Sequence, residues 1–145
     1  MGQSETERAV GYLVKRVQQS LRRRCDAALR PTGLSMSQYA VLRALADHRN
    51  ASAAELARLC FVTRQSLQDV LAGLRLARLV EPTDAPPRGR ARSLRLTRQG
   101  LSRLEAGHAA VAGVETAMVH GLAKAERREL AGLLTRCAEN LEADR

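Results

Sequence analysis

Between positions 63 and 68 the chain carries two hydroxyls, two carboxamides and a guanidinium, on Thr63, Ser66, Gln65, Gln68 and Arg64. Carboxamides and guanidinium groups form paired hydrogen bonds with purine edges, and hydroxyls reach phosphate oxygens. Further on, Arg88, Arg90 and Arg92 alternate with small residues, in a stretch with five arginines from Asp84 to Arg98 against one acid. Positive charge of that density suits a phosphate backbone. The residue types that catalyse are scattered instead. His48, His108 and His120 sit in different elements, and Cys25, Cys60 and Cys137 have no metal-ligand spacing. No Ser/His/Asp order, glycine-rich phosphate loop or carboxylate pair stands out. The chemistry on offer is recognition of double-stranded DNA, with no enzyme, metal or cofactor expected.

Two helices and a hairpin must position these groups. Ser52-Ala53-Ala54-Glu55 reads as a capping box that starts the first helix. Leu56, Leu59 and Cys60 form its apolar edge. Phe61 and Val62 are apolar, so the turn after it is expected to be short and packed. Thr63 is a good N-cap for the second helix. Behind it, Leu67, Val70, Leu71 and Leu74 make a stripe at helical spacing, leaving Arg64, Gln65, Gln68 and Arg75 on the other face. Leu79–Glu81 and Ser93–Thr97 have strand character, the second with clean alternation. The Pro- and Gly-containing segment between them is a hairpin tip. The order is helix, turn, helix and two-stranded wing.

Three motifs in this order resemble the MarR family of winged helix-turn-helix regulators. Leu34-Ser35-Met36-Ser37-Gln38-Tyr39-Ala40-Val41-Leu42 resembles the family's Leu-Thr-x-x-Gln-aromatic-x-Val-Leu helix. Ala54-Glu55-Leu56-Ala57 resembles its helix before the turn. Leu94-Arg95-Leu96-Thr97-Arg98-Gln99-Gly100 resembles the Leu-x-Leu-Thr-x-x-Gly that leaves the wing. The resemblance spans nearly the whole chain. It implies that Thr63, Arg64, Gln65, Ser66 and Gln68 meet DNA in the major groove, and that Arg90 is the wing arginine that enters the minor groove. The family's usual aspartate partner for that arginine is replaced by Arg88. This departure implies a more basic, less sequence-selective tip.

The rest of the 145 residues bounds the architecture. Aromatics are 2% of the chain and apolar residues 45%, so a core of Leu, Val and Ala favours packed helices. The net charge of +9 is uneven. Residues 1–51 carry nine basic and four acidic side chains, residues 52–98 likewise, and residues 99–145 six against seven. An acidic partner is therefore expected for the first two thirds. A first helix is expected from Glu5 to Arg30, with Val10, Leu13, Val14, Val17, Leu21, Cys25 and Ala28 as its stripe, ended by Pro31. Ser35 with Gln38 is a second capping box, opening a helix to about Asp47. A long helix follows from Arg98 to about His120, with Leu101, Leu104, His108, Val111, Ala112 and Met118 inward. Gly100, Gly107 and Gly113 are expected to weaken it. The last helix carries Leu130, Leu133, Leu134, Cys137 and Leu141.

The fold expected is mainly α: a winged helix-turn-helix over 35–98, with long dimerisation helices at 1–34 and 99–145. A two-fold homodimer would offer two recognition helices to a pseudo-palindromic operator. No apolar run reaches the roughly 18 residues of a membrane span, and no signal pattern opens the chain, so a cytoplasmic protein is expected. The resemblance further implies a repressor released by a small anionic or aromatic effector, held between dimerising helices and reading lobe, with Tyr39 and Arg43 as candidate lining. Two alternatives stand beside it. One is a winged-helix module that binds another protein through its basic wing. The other is a redox-sensing regulator using Cys25, which follows three arginines that would favour its thiolate. Burial as a small hydrophobe is the plainer expectation for all three cysteines.

Overall fold

The computed structural model describes residues 4–84 and 93–143. Its helices are α1 (Glu5–Arg8), α2 (Val10–Leu29), α3 (Met36–Asp47), α4 (Ala53–Leu59), α5 (Arg64–Leu76), α6 (Arg98–Met118) and α7 (Lys124–Glu142). Strands β1 (Val80–Pro82) and β2 (Leu94–Leu96) lie between α5 and α6. Chain contacts divide the protein into two compact units, Met1–Val114 and Glu115–Arg145, with the boundary inside α6.

In the first unit the expected opening helix is two pieces. Ala9 is extended (φ −66°, ψ 140°) and separates α1 from α2. The α1 segment buries no residue, and its own capping box, Ser4 with Glu7, holds its first turn. Packing begins at the far end of α2, where Cys25 and Leu29 are buried. Arg30–Thr32 closes the helix as a 3-10 turn, and Gly33 takes the left-handed conformation (φ 77°) that a side chain would resist. Ser35 and Gln38 cap α3 reciprocally, with bonds of 3.1 and 3.0 Å. The core gathers Val41 and Leu42 of α3, Leu56 of α4, Leu67 and Leu74 of α5, Leu79 and Val80 at the wing, and Leu104 and Val111 of α6.

The hairpin is antiparallel, with Val80 opposite Leu96, Glu81 opposite Arg95 and Pro82 opposite Leu94. Arg95 and Glu81 form an exposed cross-strand ion pair at 2.9 Å, a pairing worth well under 1 kcal/mol at about this exposure. Thr97 then joins wing to α6. Its hydroxyl donates to the Arg78 carbonyl at 2.7 Å and accepts the Gly100 N–H at 3.0 Å, capping the helix. Gly100 lies so close to the wing that an added Cβ would stand 2.0 Å from the Leu79 carbonyl oxygen. A Cβ on Gly107 would stand 2.7 Å from the Tyr39 ring. These two glycines are close-approach points, so the expectation that they merely weaken α6 is corrected. Gly113 has nothing within 4 Å and fits it.

Of the expected inner face of α6, Leu104 and Val111 are buried, whereas Leu101, His108, Ala112 and Met118 are exposed. In the second unit, Gly121 (φ 87°) marks the break before α7, whose first turn is held by the Ala123 N–H donating to Glu126 at 2.8 Å. Helix α7 buries no residue, and Leu130, Leu133, Leu134 and Leu141 are exposed. So are Val10, Leu13, Val14 and Val17 on α2. Cys137 is exposed too, a correction to its expected burial. No described helix is long and apolar enough to cross a membrane.

Candidate nucleic-acid interface

The helix-turn-helix is built from its caps. The Glu55 N–H donates to the Ser52 hydroxyl at 3.2 Å, one half of the expected capping box. Helix α4 ends in a Schellman motif: Val62 N–H donates to the Ala57 carbonyl at 3.0 Å, and Phe61 N–H to that of Arg58 at 3.2 Å. That motif forces the intervening residue into the left-handed region, and Phe61 adopts φ 55°. The turn is short as expected, but only half of it is packed. Val62 is half-buried, whereas Phe61 is 92% exposed.

Thr63 then caps α5, its hydroxyl accepting the Ser66 N–H at 3.0 Å and donating to the Ser66 hydroxyl at 3.0 Å. Leu67, Leu71 and Leu74 are buried behind the helix, and Val70 is partly so. The helix is thereby rotated so that Thr63, Arg64, Gln65, Ser66 and Gln68 are all exposed. The Gln65 carboxamide donates to Asp69 at 3.4 Å, a loose contact one helical turn on that biases its rotamer. Five polar side chains thus share the first two turns of one helix, where backbone N–H groups also favour phosphate. Arg88, Arg90 and Arg92 lie outside the described residues; strands β1 and β2 are joined beyond their ends by the Thr83 N–H donating to the Ser93 carbonyl at 2.9 Å.

Tyr39 and Arg43 lie one turn apart on α3, the first buried and the second exposed. Tyr39 is 3% exposed, and its hydroxyl lies 2.8 Å from Nδ1 of His108, the rings meeting edge to face. Arg43 points to solvent and stands 3.9 Å from Asp47. The link from Tyr39 to His108 joins residues distant in sequence, and no local pattern announces it. An open groove of about 420 Å³ lies instead by the wing root, between Leu45, Ala46 and Arg49 on one side and Leu94, Leu96 and Leu101 on the other. Cys25 is 2% exposed, and burial holds the Cys60 thiol above its usual pKa. Cys25 lacks the access and Cys60 the lowered pKa that redox sensing needs, whereas Cys137 is exposed. A protein-binding module calls for an apolar patch; the Thr63–Gln68 face of α5 is polar, and the exposed apolar residues near it are Leu59 and Phe61 before the helix and Leu76 at its end.

Known proteins resemble the chain over this same extent. The profile of the MarR family matches residues 32–91. The HTH-type transcriptional repressor Rv2887 of Mycobacterium tuberculosis is 33% identical over 125 residues, covering 86% of this chain and 90% of that protein. A crystal structure of Rv2887 with salicylic acid has a TM-score of 0.73 at 32% identity, over 89% of this chain and 96% of that one. A structure of Rv2887 with DNA has a TM-score of 0.72 at 31% identity, over 89% and 97%.

Proposed function

The chain belongs to the MarR family of winged helix-turn-helix regulators, and from that premise we propose that it is a homodimeric, sequence-specific transcriptional repressor, released from DNA by a small aromatic anion. The observation that carries this reading is the exposed Thr63–Gln68 face, held outward by the buried Leu67, Leu71 and Leu74. The apolar residues that α2 and α7 leave bare support dimerisation, since exposed apolar faces mark interaction sites. Light scattering is expected to give about twice the 15.8 kDa chain mass. A monomer at micromolar concentration would remove the two-fold operator.

The complex of Rv2887 with salicylic acid supports an aromatic carboxylate as effector. The groove at the wing root has an apolar floor, and Arg49 at its edge suits a carboxylate. A ligand releases DNA only if it binds the unbound dimer better than the DNA-bound one. We place the protein in the cytoplasm, where its DNA is.

The test is selection of binding sites from random duplexes by the purified protein, followed by titrations in salt. Log affinity is expected to fall linearly with log salt, at about −0.9 per phosphate contact. Arg90→Ala should make that slope shallower by about 1 for each subunit of the dimer and weaken all sequences alike. Gln65→Ala should instead relax one base position, costing roughly 1–3 kcal/mol of discrimination. Equal effects of the two changes on every sequence would contradict the assigned roles. Salicylate should release operator from wild type and from a variant with all three cysteines replaced. Release by peroxide alone, lost in the cysteine-free variant, would restore a cysteine sensor, and single replacements of Cys25, Cys60 and Cys137 would say which.

A further inference from the structure

Phe61 combines two features that each cost free energy and that nothing within the described chain offsets. Its backbone is left-handed (φ 55°), a conformation that a β-carbon disfavours and glycine takes freely. Its ring is 92% exposed, so no apolar burial compensates. The end of α5 makes a useful contrast. There Arg78 takes the same left-handed position (φ 59°) in a second Schellman motif, with Leu79 N–H donating to the Leu74 carbonyl at 2.9 Å. The Arg78 carbonyl, however, accepts the Thr97 hydroxyl and so fastens the wing to α6. At Phe61 the only bond is the helix-end one, from its N–H to the Arg58 carbonyl, and a glycine would make it equally well. The phenyl ring itself therefore needs a reason outside the chain. Strain kept without local benefit is characteristic of functional positions.

The place suggests the partner. Phe61 stands two residues before Thr63, the cap of the helix whose exposed Arg64, Gln65 and Gln68 are read above as base and phosphate contacts. Exposed Arg58 and Arg64 stand three residues to either side of it in sequence. In the major groove the apolar group a ring can recognise is the C5 methyl of thymine. We propose that Phe61 is a specificity-determining residue that packs against a thymine methyl at the edge of the sequence read by α5. The inference rests on the DNA-binding reading above and adds to it a base-specific apolar contact.

The experiment compares wild type with Phe61→Gly and Phe61→Asn, both compatible with the left-handed backbone. Thermal unfolding, affinity for the selected operator, and affinity for an unrelated duplex are measured for each. Both variants are expected to unfold at the same or higher temperature than wild type. They should bind the operator about tenfold more weakly and the unrelated duplex unchanged. Replacing thymines by uracil one at a time should weaken wild type at one position in each half-site, and that penalty should vanish in Phe61→Gly. Unchanged operator affinity, an equal loss on both duplexes, or a lowered unfolding temperature would each overturn the proposal. If wild type selects no sequence at all, the regulator reading falls and this contact with it; if wild type selects and the variants select identically, only this contact falls.

Discussion

Gly100→Ala is expected to destabilise the protein by about 2–3 kcal/mol or more, whereas Gly113→Ala in the same helix is expected to stabilise it by up to about 1 kcal/mol. The substitution is identical and only the surroundings differ. A Cβ on Gly100 would fall 2.0 Å from the Leu79 carbonyl oxygen and 3.0 Å from its carbon. That carbonyl cannot swing aside, because it accepts the Thr97 N–H at 3.0 Å and belongs to a residue buried in the core. The first turn of α6 would have to lift from the wing, straining the Thr97 hydroxyl bonds to Arg78 and Gly100 as it moved. At Gly113 no atom lies within 4 Å, so alanine only removes backbone freedom from the unfolded chain. Urea unfolding of the two variants should move the midpoint in opposite directions with little change in slope. A shared direction would mean that the wing does not seat on α6 as described.

The same pair of glycines shows what the residues alone reveal and what they withhold. Spacing was enough for α3, α4 and α5, because caps at Ser35, Ser52 and Thr63 and stripes of leucine are local signals. It was enough for the polar face of α5 too, since burying Leu67 and Leu74 fixes the rotation of everything between them. The Leu-x-Leu-Thr-x-x-Gly motif was readable as a resemblance, but its reason is tertiary. Thr97 ties a left-handed Arg78 to the start of α6, and Gly100 makes room for a carbonyl from another element. Helix propensity sees only a poor helix former there, which is why Gly100 and Gly107 looked like weaknesses. Phe61 failed for a related reason. An apolar residue in a turn suggests packing, yet the Schellman geometry dictates where its side chain points. Helical spacing puts Arg43 one turn from Tyr39 on α3, but it says nothing of Gly107 and His108, which meet the Tyr39 side chain from α6.

Leu67→Ala is expected to lower stability by about 2–5 kcal/mol, while Gln68→Ala, the next residue, should change it by no more than about 0.5 kcal/mol. Leu67 is 0% exposed and among the largest fully buried side chains, so truncation leaves a cavity among α3, α4 and α5 that close packing cannot refill. Against a total stability of roughly 5–15 kcal/mol this is a large share. Gln68 faces solvent and makes no bond that the fold needs. DNA binding should rank the two the other way. Below its unfolding midpoint, Leu67→Ala still presents Arg64, Gln65 and Gln68 on the outer face, so its preference among operator sequences should match wild type. Gln68→Ala keeps the fold but removes a carboxamide that can pair with an adenine edge, and should relax one position of the site by about 1–3 kcal/mol. Thermal unfolding and competition binding on the same two preparations measure both effects. Lost sequence preference in folded Leu67→Ala, with Gln68→Ala binding as wild type, would place the reading surface on another element.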